Sequence, residues 1–344
     1  MSQMMKEILE QPQALQRTLA AERDHAQAFA DFARKKNFRL IVLVARGTSD
    51  NAALFGRYLL ELTTGIPVSM AAASIYTLYH ARLDLRQALV VGISQSGEST
   101  DINMVLKSAK RDGAYTLGIT NERKSPMADL VDEVFLVHAG KQRSVAATKT
   151  YTGQLLLFYL LASSLSSQIV LSDVSEIPLR VEMALKLAPE IAELAERYRY
   201  MRRCVVVGRG INLANAYELS LKLMETCYVV AERFSSADFM HGPIAMIERD
   251  FPALVFMPPG KTFPDLLKLT AHLHSLSADT LVFSSSESRI PGAGRVIRIP
   301  DPVPELYTPI PYIVPGQLFA ASLAEVKGLN PDKPRELHIV THTI

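Results

Sequence analysis

Short apolar runs alternate with stretches that carry apolar residues at helical spacing. Runs of about five apolar residues are typical of strands buried on both faces of a parallel sheet. In the first half of the chain the predicted strands are 40–45, 67–72, 89–93, 116–120 and 133–137, and the helices between them are 51–63, 74–80, 100–111 and 126–131. This alternation predicts an α/β fold in which helices cover both faces of a parallel sheet.

Further helical segments lie outside this alternation. Residues 4–35 carry an incomplete apolar stripe that Pro12 interrupts, and helices are predicted at 148–167, 176–198 and 317–326. Residues 300–315 contain six prolines and are predicted to precede the last helix. The most apolar stretch, 155–165, is shorter than the about 20 residues that span a bilayer. We expect it to be a helix in a core or in a subunit interface.

The pattern restarts near residue 203, which indicates an internal repeat. A predicted strand at 203–207 leads to Arg209-Gly210, as the strand at 40–45 leads to Arg46-Gly47. In both places a helix and a short strand follow, and the second copy continues with strands at 254–257 and 280–284 around a helix at 264–276. We interpret the chain as two copies of one α/β unit.

A hydroxyl-rich loop joins the strand at 89–93 to the next helix. Its residues are Ser94-Gln95-Ser96-Gly97-Glu98-Ser99-Thr100. Backbone N–H groups at the start of a helix are unpaired and the helix dipole favours an anion, so this junction suits a phosphate. The loop contains no lysine and is therefore not a Walker-type nucleotide loop. The alternative is an ordinary turn in which serine or threonine caps the helix.

The two copies differ at this loop. Ligands of open parallel sheets bind outside the carboxyl ends of the strands, where both 46–49 and the hydroxyl-rich loop fall. In the second copy Pro258-Pro259-Gly260-Lys261 stands in the corresponding place, without a hydroxyl cluster. We expect one phosphate site and one degenerate copy of it.

Composition and charge exclude several classes of function. The chain has 344 residues, of which 48% are hydrophobic, enough for two domains with a sizeable core. Its formal net charge of +2 indicates neither nucleic-acid nor membrane binding. Two isolated cysteines, Cys204 and Cys227, predict no disulfide framework, and no signal peptide opens the chain, so a cytoplasmic location is expected. His272 and His274 are two apart on a helix and cannot face one ligand, so no metal or other cofactor is expected.

Several motifs make the chain resemble the sugar isomerase (SIS) family. It is similar in particular to the isomerase half of glucosamine-6-phosphate synthases and to stand-alone amino-sugar-phosphate deaminases. The motifs are RGTSDNA at 46–52, SQSGEST at 94–100, SVAATKTY at 144–151, LSLKLMETCYVVAE at 219–232, SSADFMHGPIAMI at 235–247 and NPDKPREL at 330–337. The segment at 5–15 resembles the one that follows the glutaminase domain in the synthases, so a stand-alone isomerase or deaminase is expected.

The resemblance implies two tandem SIS domains, each a parallel sheet flanked by helices in three layers. The expected order is a helical segment at 1–36, a first SIS domain with the phosphosugar site at 37–170, a linking helix at 171–200, a second SIS domain with the catalytic residues at 201–326, and a tail at 327–344. The tail is expected to be either a disordered end or a lid over a site.

The resemblance also implies the residues that bind the sugar phosphate. The phosphate is expected to contact Ser94, Gln95, Ser96 and Ser99, the sugar to contact Gly47, Thr48 and Ser49, and the backbone at Val145 and Ala146 to complete the pocket. Helix capping is the alternative role for Thr48 and Ser49.

The implied catalytic residues lie in the second copy. Glu225 matches the family's base, which moves a proton between C1 and C2 of an open-chain sugar. Lys222, three residues earlier on the same helix face, would keep Glu225 ionised or stabilise an enolate; the alternative is a surface ion pair. His241 matches the histidine that opens the sugar ring and comes from the neighbouring subunit of a homodimer. Residues 155–165 are a candidate for the apolar contact surface.

Two departures from the family bear on activity. Ile339 stands where synthases and deaminases usually carry a tail lysine, with His338 or His342 as candidate substitutes, and Gln142 stands where many relatives have glutamate at the expected mouth of the site. Isoleucine neither forms a Schiff base nor donates a proton. The expected function is therefore a phosphosugar isomerase or deaminase acting on an amino-sugar 6-phosphate, and the alternative is a sugar-phosphate-binding protein with little or no catalysis.

Overall fold

The computed structural model describes residues 1–300 and 302–337. The chain forms two compact units, each assembled from more than one stretch. The first-sheet unit contains Gln11–Gln142, Lys149–Glu176 and Leu337, and the second-sheet unit contains Met1–Glu10, Arg143–Thr148 and Ile177–Glu336. Helix α1 (Gln3–Leu9) belongs to the second-sheet unit and helix α2 (Gln11–Lys36) to the first-sheet unit. The break between them lies beside Pro12, as the sequence predicts.

The first-sheet unit contains a five-stranded parallel sheet flanked by helices. Its further elements are β1 (Leu40–Val44), α3 (Thr48–Thr64), β2 (Val68–Met70), α4 (Ala73–Thr77), β3 (Ala88–Ile93), α5 (Thr100–Arg111), β4 (Tyr115–Thr120), α6 (Pro126–Leu130), β5 (Glu133–Leu136), α7 (Lys149–Leu165) and α8 (Leu171–Ser175). The strand order is β2-β1-β3-β4-β5. All six residues of β3 are buried, as expected for a central strand covered on both faces.

The second-sheet unit repeats this architecture. Its elements after α1 are α9 (Ile177–Leu185), α10 (Ala188–Arg197), β6 (Arg203–Gly208), α11 (Leu213–Cys227), β7 (Val230–Ser235), α12 (Ser236–Met240), β8 (Pro252–Phe256), α13 (Phe263–Ser275), β9 (Asp279–Ser284), β10 (Arg295–Arg298) and α14 (Pro309–Val326). Its parallel sheet has the order β7-β6-β8-β9-β10, which is the order of the first sheet with β6 in place of β1 and β8 in place of β3. The predicted α/β fold and internal repeat are therefore confirmed.

Two helical predictions differ from the structure at prolines. The single helix predicted at 176–198 is two helices, α9 and α10, because Pro189 stands in the first turn of α10. The last helix begins at Pro309, not at 317. Its first-turn prolines lack only N–H groups that have no helical partner there, although Pro315 lies in the interior.

The apolar stretch at 155–165 is not a free contact surface. It belongs to α7, in which Leu155–Leu161 are fully buried inside the first-sheet unit. The proposal that this stretch is the subunit interface is therefore wrong, because the core of its own unit already covers it. Among the residues described, no helix has both the length and the apolar character needed to cross a membrane.

Candidate functional site

The two loops predicted to bind a sugar phosphate begin side by side in the first-sheet unit. Strands β1 and β3 are parallel neighbours in which Val44 is level with Gly92. Arg46 and Ser94 each stand two residues further along, so both loops leave the same edge of the sheet. Neighbouring strands are about 4.8 Å apart. The structure therefore brings the Gly47–Ser49 segment next to the start of the hydroxyl-rich loop.

Hydrogen bonds within the chain fix the shape of the hydroxyl-rich loop. Ser94 is 4% exposed; its Oγ accepts the N–H of Gly97 at 3.1 Å and lies 3.1 Å from Ser99 Oγ. Gly97 has φ +67°, and its carbonyl accepts the side-chain amide of Asn103 at 3.0 Å and the N–H of Met127 at 3.1 Å. Ser94 thus holds the loop from beneath, and a positive φ explains the glycine. Asn103 was missed by the sequence analysis.

Apart from the buried Gly97, the remaining loop residues are more accessible than Ser94. Gln95 and Ser96 are half-buried; the Gln95 carbonyl accepts the N–H of Asn121 at 3.0 Å, and Ser96 Oγ accepts the N–H of Glu98 at 3.2 Å. The Gln95 backbone is thereby fixed to the end of β4.

Helix capping, the alternative role for the loop hydroxyls, is wrong for Ser99 and Ser49. Ser99 occupies the N-cap position of α5, but its side chain accepts no hydrogen bond from the helix. The N-cap of α3 is Gly47, with φ +56°, and neither Thr48 nor Ser49 occupies that position. Ser49 is 8% exposed, and its Oγ accepts the Gln154 amide at 3.0 Å. In the first turn of α5, the N–H groups of Ile102 and Asn103 are bonded to Asp101 Oδ1 and to the Ser99 carbonyl. Within the described residues, the N–H groups of Thr100 and Asp101 are the ones left as donors for an anion.

An arginine and an aspartate join the two loops, and the sequence analysis assigned neither. Arg46 Nε donates to Asp101 Oδ2 at 2.7 Å, and Asp101 Oδ1 accepts the N–H of Ile102 at 2.8 Å. The Asp101 side chain is 2% exposed and that of Arg46 is 52% exposed. The Arg-Gly pair repeated at 209–210 was the available sequence signal for Arg46.

The predicted catalytic pair lies on α11 in the second-sheet unit. Lys222 Nζ is 2.5 Å from Glu225 Oε2 and 3.5 Å from Glu218 Oε1. Lys222 is 1% exposed and Glu218 is fully buried, whereas the Glu225 side chain is 20% exposed. The alternative of a surface ion pair is therefore wrong. Glu218 was missed, although its spacing of four residues before Lys222 is the usual signal for such a pair.

The charges of this triad support one another. Burial lowers the pKa of Lys222, but the carboxylates of Glu218 and Glu225 outweigh that effect and leave the pKa above its usual range. Lys222 is therefore a cation at neutral pH. Glu225 lies beside this fixed positive charge, and 20% of its side chain is exposed. This arrangement suits a general base.

His241 is exposed, and its side chain is not hydrogen-bonded to the lysine–glutamate pair. It directly follows α12, its backbone N–H donates to the Asp238 carbonyl at 3.1 Å, and Gly242 after it has φ +149°. Within residues 1–300 and 302–337 its imidazole makes no hydrogen bond, so neither Lys222 nor Glu225 orients it.

The segment with Val145 and Ala146 is anchored in the second-sheet unit. The fully buried Glu7 accepts the N–H of Arg143 at 2.7 Å and that of Ser144 at 3.2 Å. Val145 is half-buried and Ala146 is fully buried. Glu7 thus fixes the backbone just before the two predicted contact residues, a role that the sequence did not reveal.

The described part of the tail is held to the second-sheet unit. Asp332 accepts the N–H groups of Gln3 and Met4, each at 2.7 Å, and the Arg335 guanidinium lies 4.3 Å from the ring centroid of Tyr228, directly after α11.

Gln142 does not lie at an exposed mouth of the site, because it is 4% exposed and accepts the Thr150 hydroxyl at 3.2 Å. Ile339, His338 and His342 lie outside the described residues.

In the second-sheet unit an internal carboxylate occupies the loop that corresponds to the hydroxyl-rich loop. Glu305 accepts the N–H of Lys261 at 2.5 Å and that of Thr262 at 3.3 Å, and it also accepts the Thr262 hydroxyl. Gly260 has φ +147°, and a Cβ there would lie 2.3 Å from Glu305 Oε2. The expected degenerate copy is thus a loop already bonded to an anion of its own chain.

Comparison with known proteins places these features in a family. The SIS domain model matches residues 35–164 and 198–321. The glutamine–fructose-6-phosphate aminotransferase (isomerizing) of Pyrococcus horikoshii is 37% identical over 341 residues, which are 97% of this chain and 56% of that protein. The chain therefore spans about half the length of the curated relatives it matches.

Solved structures agree with this assignment. The C-terminal domain of glucosamine-fructose-6-phosphate aminotransferase from Francisella tularensis has a TM-score of 0.87 and 28% identity, covering 96% of this chain and 98% of that one. The glucosamine-6-phosphate deaminase of Thermotoga maritima shares the fold, with a TM-score of 0.75 at 21% identity and coverage of 99% and 100%. With two matched segments over two parallel sheets of the same strand order, the chain belongs to the SIS domain family.

Proposed function

We propose that this protein is a phosphosugar isomerase or deaminase that acts on an amino-sugar 6-phosphate. The observation that carries the proposal is the buried Lys222, which holds Glu225 at 2.5 Å while 20% of the Glu225 side chain stays exposed. A partly exposed carboxylate beside a buried cation is suited to removing a proton next to a carbonyl group. The named activities of the relatives support the substrate class.

The first-sheet unit would supply phosphate binding. Ser96 and Ser99 would donate hydroxyls, and Ser94 would keep the loop in shape. The backbone N–H groups of Thr100 and Asp101 at the start of α5 would donate further hydrogen bonds. Gln95, Gly47, Thr48 and Ser49, with the backbone at Val145 and Ala146, complete the proposed set. Among the residues proposed to contact the sugar, Ser49 already uses its hydroxyl to accept a hydrogen bond from Gln154.

Glu225 would then carry the chemical step. For an amino sugar, removal of the proton from C2 of the open-chain aldose and protonation of O1 would leave an enolamine, and return of a proton to C1 would give the imine at C2. Water would then hydrolyse this imine, releasing ammonia and leaving the ketose. For a 2-hydroxy sugar the same transfers, with loss of the O2 proton, would pass through an enediol and give the ketose directly. Lys222 would oppose the negative charge that develops on the oxygen, because its ammonium remains charged beside Glu225.

His241 would open the sugar ring in a homodimer. Its imidazole is exposed and is not hydrogen-bonded to Lys222 or Glu225, which is compatible with delivery to a neighbouring copy. Since 155–165 is buried, the contact must use another surface. Light scattering at micromolar concentration is expected to give twice the chain mass of 38.0 kDa. A fully active monomer would contradict the proposed homodimer.

The experiment is hydrogen exchange with glucosamine 6-phosphate in D₂O, followed by NMR at C1 and C2 together with assays for ammonia and ketose. Glu225→Gln keeps the size of the side chain and removes the base, so exchange is expected to fall by about 10²–10⁴-fold while binding persists. Glu193→Gln, an exposed glutamate on α10, is the matched control. Equal exchange in Glu225→Gln and wild type would exclude Glu225 as the base.

The second candidate function is phosphosugar binding without turnover. The sequence favours it at one position, because Ile339 replaces the lysine that relatives usually carry in the tail. The same experiment separates the two functions. Wild-type protein that binds phosphosugars but exchanges no proton on any of them would be a binding protein.

A further inference from the structure

The hydroxyl-rich loop lacks a positive charge for the phosphate it is proposed to bind. Between Ser94 and Thr100 the only charged side chain is that of Glu98, which is exposed and negative. Neutral hydroxyls and backbone amides bind a dianion less strongly than positively charged donors do. A cation from outside the loop would therefore change both the affinity and the selectivity of the site.

Arg46 lies where such a cation is needed. It follows β1 at the level of Ser94 after β3, because Val44 pairs with Gly92. Its carbonyl accepts the N–H groups of Ser49 and Asp50 at 3.1 and 3.3 Å, so its backbone is fixed at the start of α3. The side chain is 52% exposed.

Asp101 holds the guanidinium in a defined orientation. The bond is made through Nε at 2.7 Å, and in the described part of the chain Arg46 has no hydrogen bond through its two terminal nitrogens. Asp101 itself is fixed, since its other oxygen accepts the N–H of Ile102 and its side chain is 2% exposed. A guanidinium held at Nε presents its terminal N–H groups as a planar fork, which matches two oxygens of a phosphate.

We infer that Arg46 binds the phosphate of the substrate directly and determines selectivity for phosphorylated over unphosphorylated sugars, with Asp101 as the residue that positions it. This inference rests on the proposed function and adds a cation to it. If Arg46 served only to link the two loops, its bond to Asp101 would be sufficient. Its terminal nitrogens are in addition exposed at the same sheet edge as Ser94, and this exposure indicates a ligand.

The test measures affinity for glucosamine 6-phosphate, inorganic phosphate and glucosamine by titration calorimetry. Arg46→Gln is expected to weaken binding of both phosphates by about 10- to 100-fold, as for a lost hydrogen bond to a charged group, and to leave glucosamine unaffected. Arg46→Lys keeps the charge without the fork and should lose less. Arg57→Gln removes another half-exposed arginine, paired with Glu61 on α3, and is the matched control.

A double-mutant cycle separates positioning from structural support. Asp101→Asn should weaken phosphate binding in the wild-type background and have no further effect in the Arg46→Gln background. An equal effect in both backgrounds would mean that Asp101 acts on the fold and would overturn its positioning role. Phosphate binding by wild type that Arg46→Gln leaves unchanged would overturn the role of Arg46 alone, whereas wild type that binds neither phosphate would overturn the proposed function as well.

Discussion

Replacing Lys222, the buried lysine of α11, tests whether its charge stabilises the fold around the proposed base, Glu225. Lys222→Met keeps an unbranched side chain of similar length and removes the charge. The fully buried Glu218 and the nearby Glu225 then lose the cation that lies 3.5 and 2.5 Å from them. Removing one partner of a buried ion pair costs about 3–5 kcal/mol, because the remaining charge is left without compensation.

This cost translates into a clear loss of thermal stability. At about 2–4 °C per kcal/mol for a unit of roughly 150–250 residues, Lys222→Met should lower Tm by about 6–20 °C at pH 7. The double variant Glu218→Gln/Lys222→Met removes the buried charge together with its partner. It should recover a large part of the loss, because neutral replacements of whole ion pairs are often tolerated.

The pH dependence gives an independent check on the same lysine. Because the pKa of Lys222 is raised above 10.5 in the folded chain, its ion pairs stabilise the fold below pH 10.5. That stabilisation is lost as the pH rises through the folded pKa. Wild type should therefore lose stability above pH 10.5 more steeply than Lys222→Met.

Circular dichroism with thermal and urea unfolding at pH 7 to 11 measures both effects. Lys268→Met, at an exposed position on α13 of the same unit, controls for the loss of any lysine. Two results would refute the claim that Lys222 stabilises the fold by compensating the charges of Glu218 and Glu225. One is a Lys222→Met variant as stable as Lys268→Met, and the other is a double variant less stable than Lys222→Met.

Four further predictions follow from other parts of the chain. Ser96→Ala and Ser99→Ala should each weaken phosphosugar binding by about 1.5–3 kcal/mol without unfolding the chain, and unchanged affinity in calorimetry would exclude phosphate contacts. Burial lowers the pKa of His25, but two bonded glutamates outweigh it and leave the pKa raised, so His25→Gln should cost more stability at pH 5.5 than at pH 8.5 in urea titrations. Glu305→Ala should lower the free energy of unfolding by about 1.5–3 kcal/mol, since backbone amides lose a charged acceptor; equal urea midpoints would contradict this. Ile339→Lys should raise the turnover rate, most on ring-closed substrate, in a coupled ammonia assay; a flat rate would exclude the missing lysine as the limit.

Local patterns predicted the elements that position the site. Helical spacing after the hydroxyl-rich loop predicted α5 at residues 100–111, which are its bounds in the structure. Both strands that lead into the binding loops, β1 and β3, were predicted to within one residue at each end. Apolar periodicity determines such elements directly, because the residues that face the core are the ones that repeat.

Burial and long-range pairing were not predictable in the same way. The three-residue spacing of Lys222 and Glu225 is the same on a surface helix and on a buried one, so the spacing left a surface ion pair as an alternative. The structure shows a lysine that is 1% exposed. The apolar run 155–165 equally suits a core or an interface, and only the packing of its unit assigns it to the core. Arg46 and Asp101 are 55 residues apart and share no periodic pattern.

The two copies of the α/β unit differ in what binds at the start of the corresponding helices, α5 and α13. In the second-sheet unit Glu305, 44 residues from Lys261, brings a carboxylate to the N–H groups before α13. In the first-sheet unit the corresponding helix, α5, begins beside hydroxyls that do not cap it. Both helix starts attract negative charge for the same electrostatic reason. At α5 the Asp101 carboxylate accepts the N–H of Ile102 and leaves two earlier N–H groups for a ligand, whereas Glu305 occupies the donors before α13. Saturation binding should therefore give one phosphosugar per chain, because a second phosphate would have to displace Glu305 from three hydrogen-bond donors.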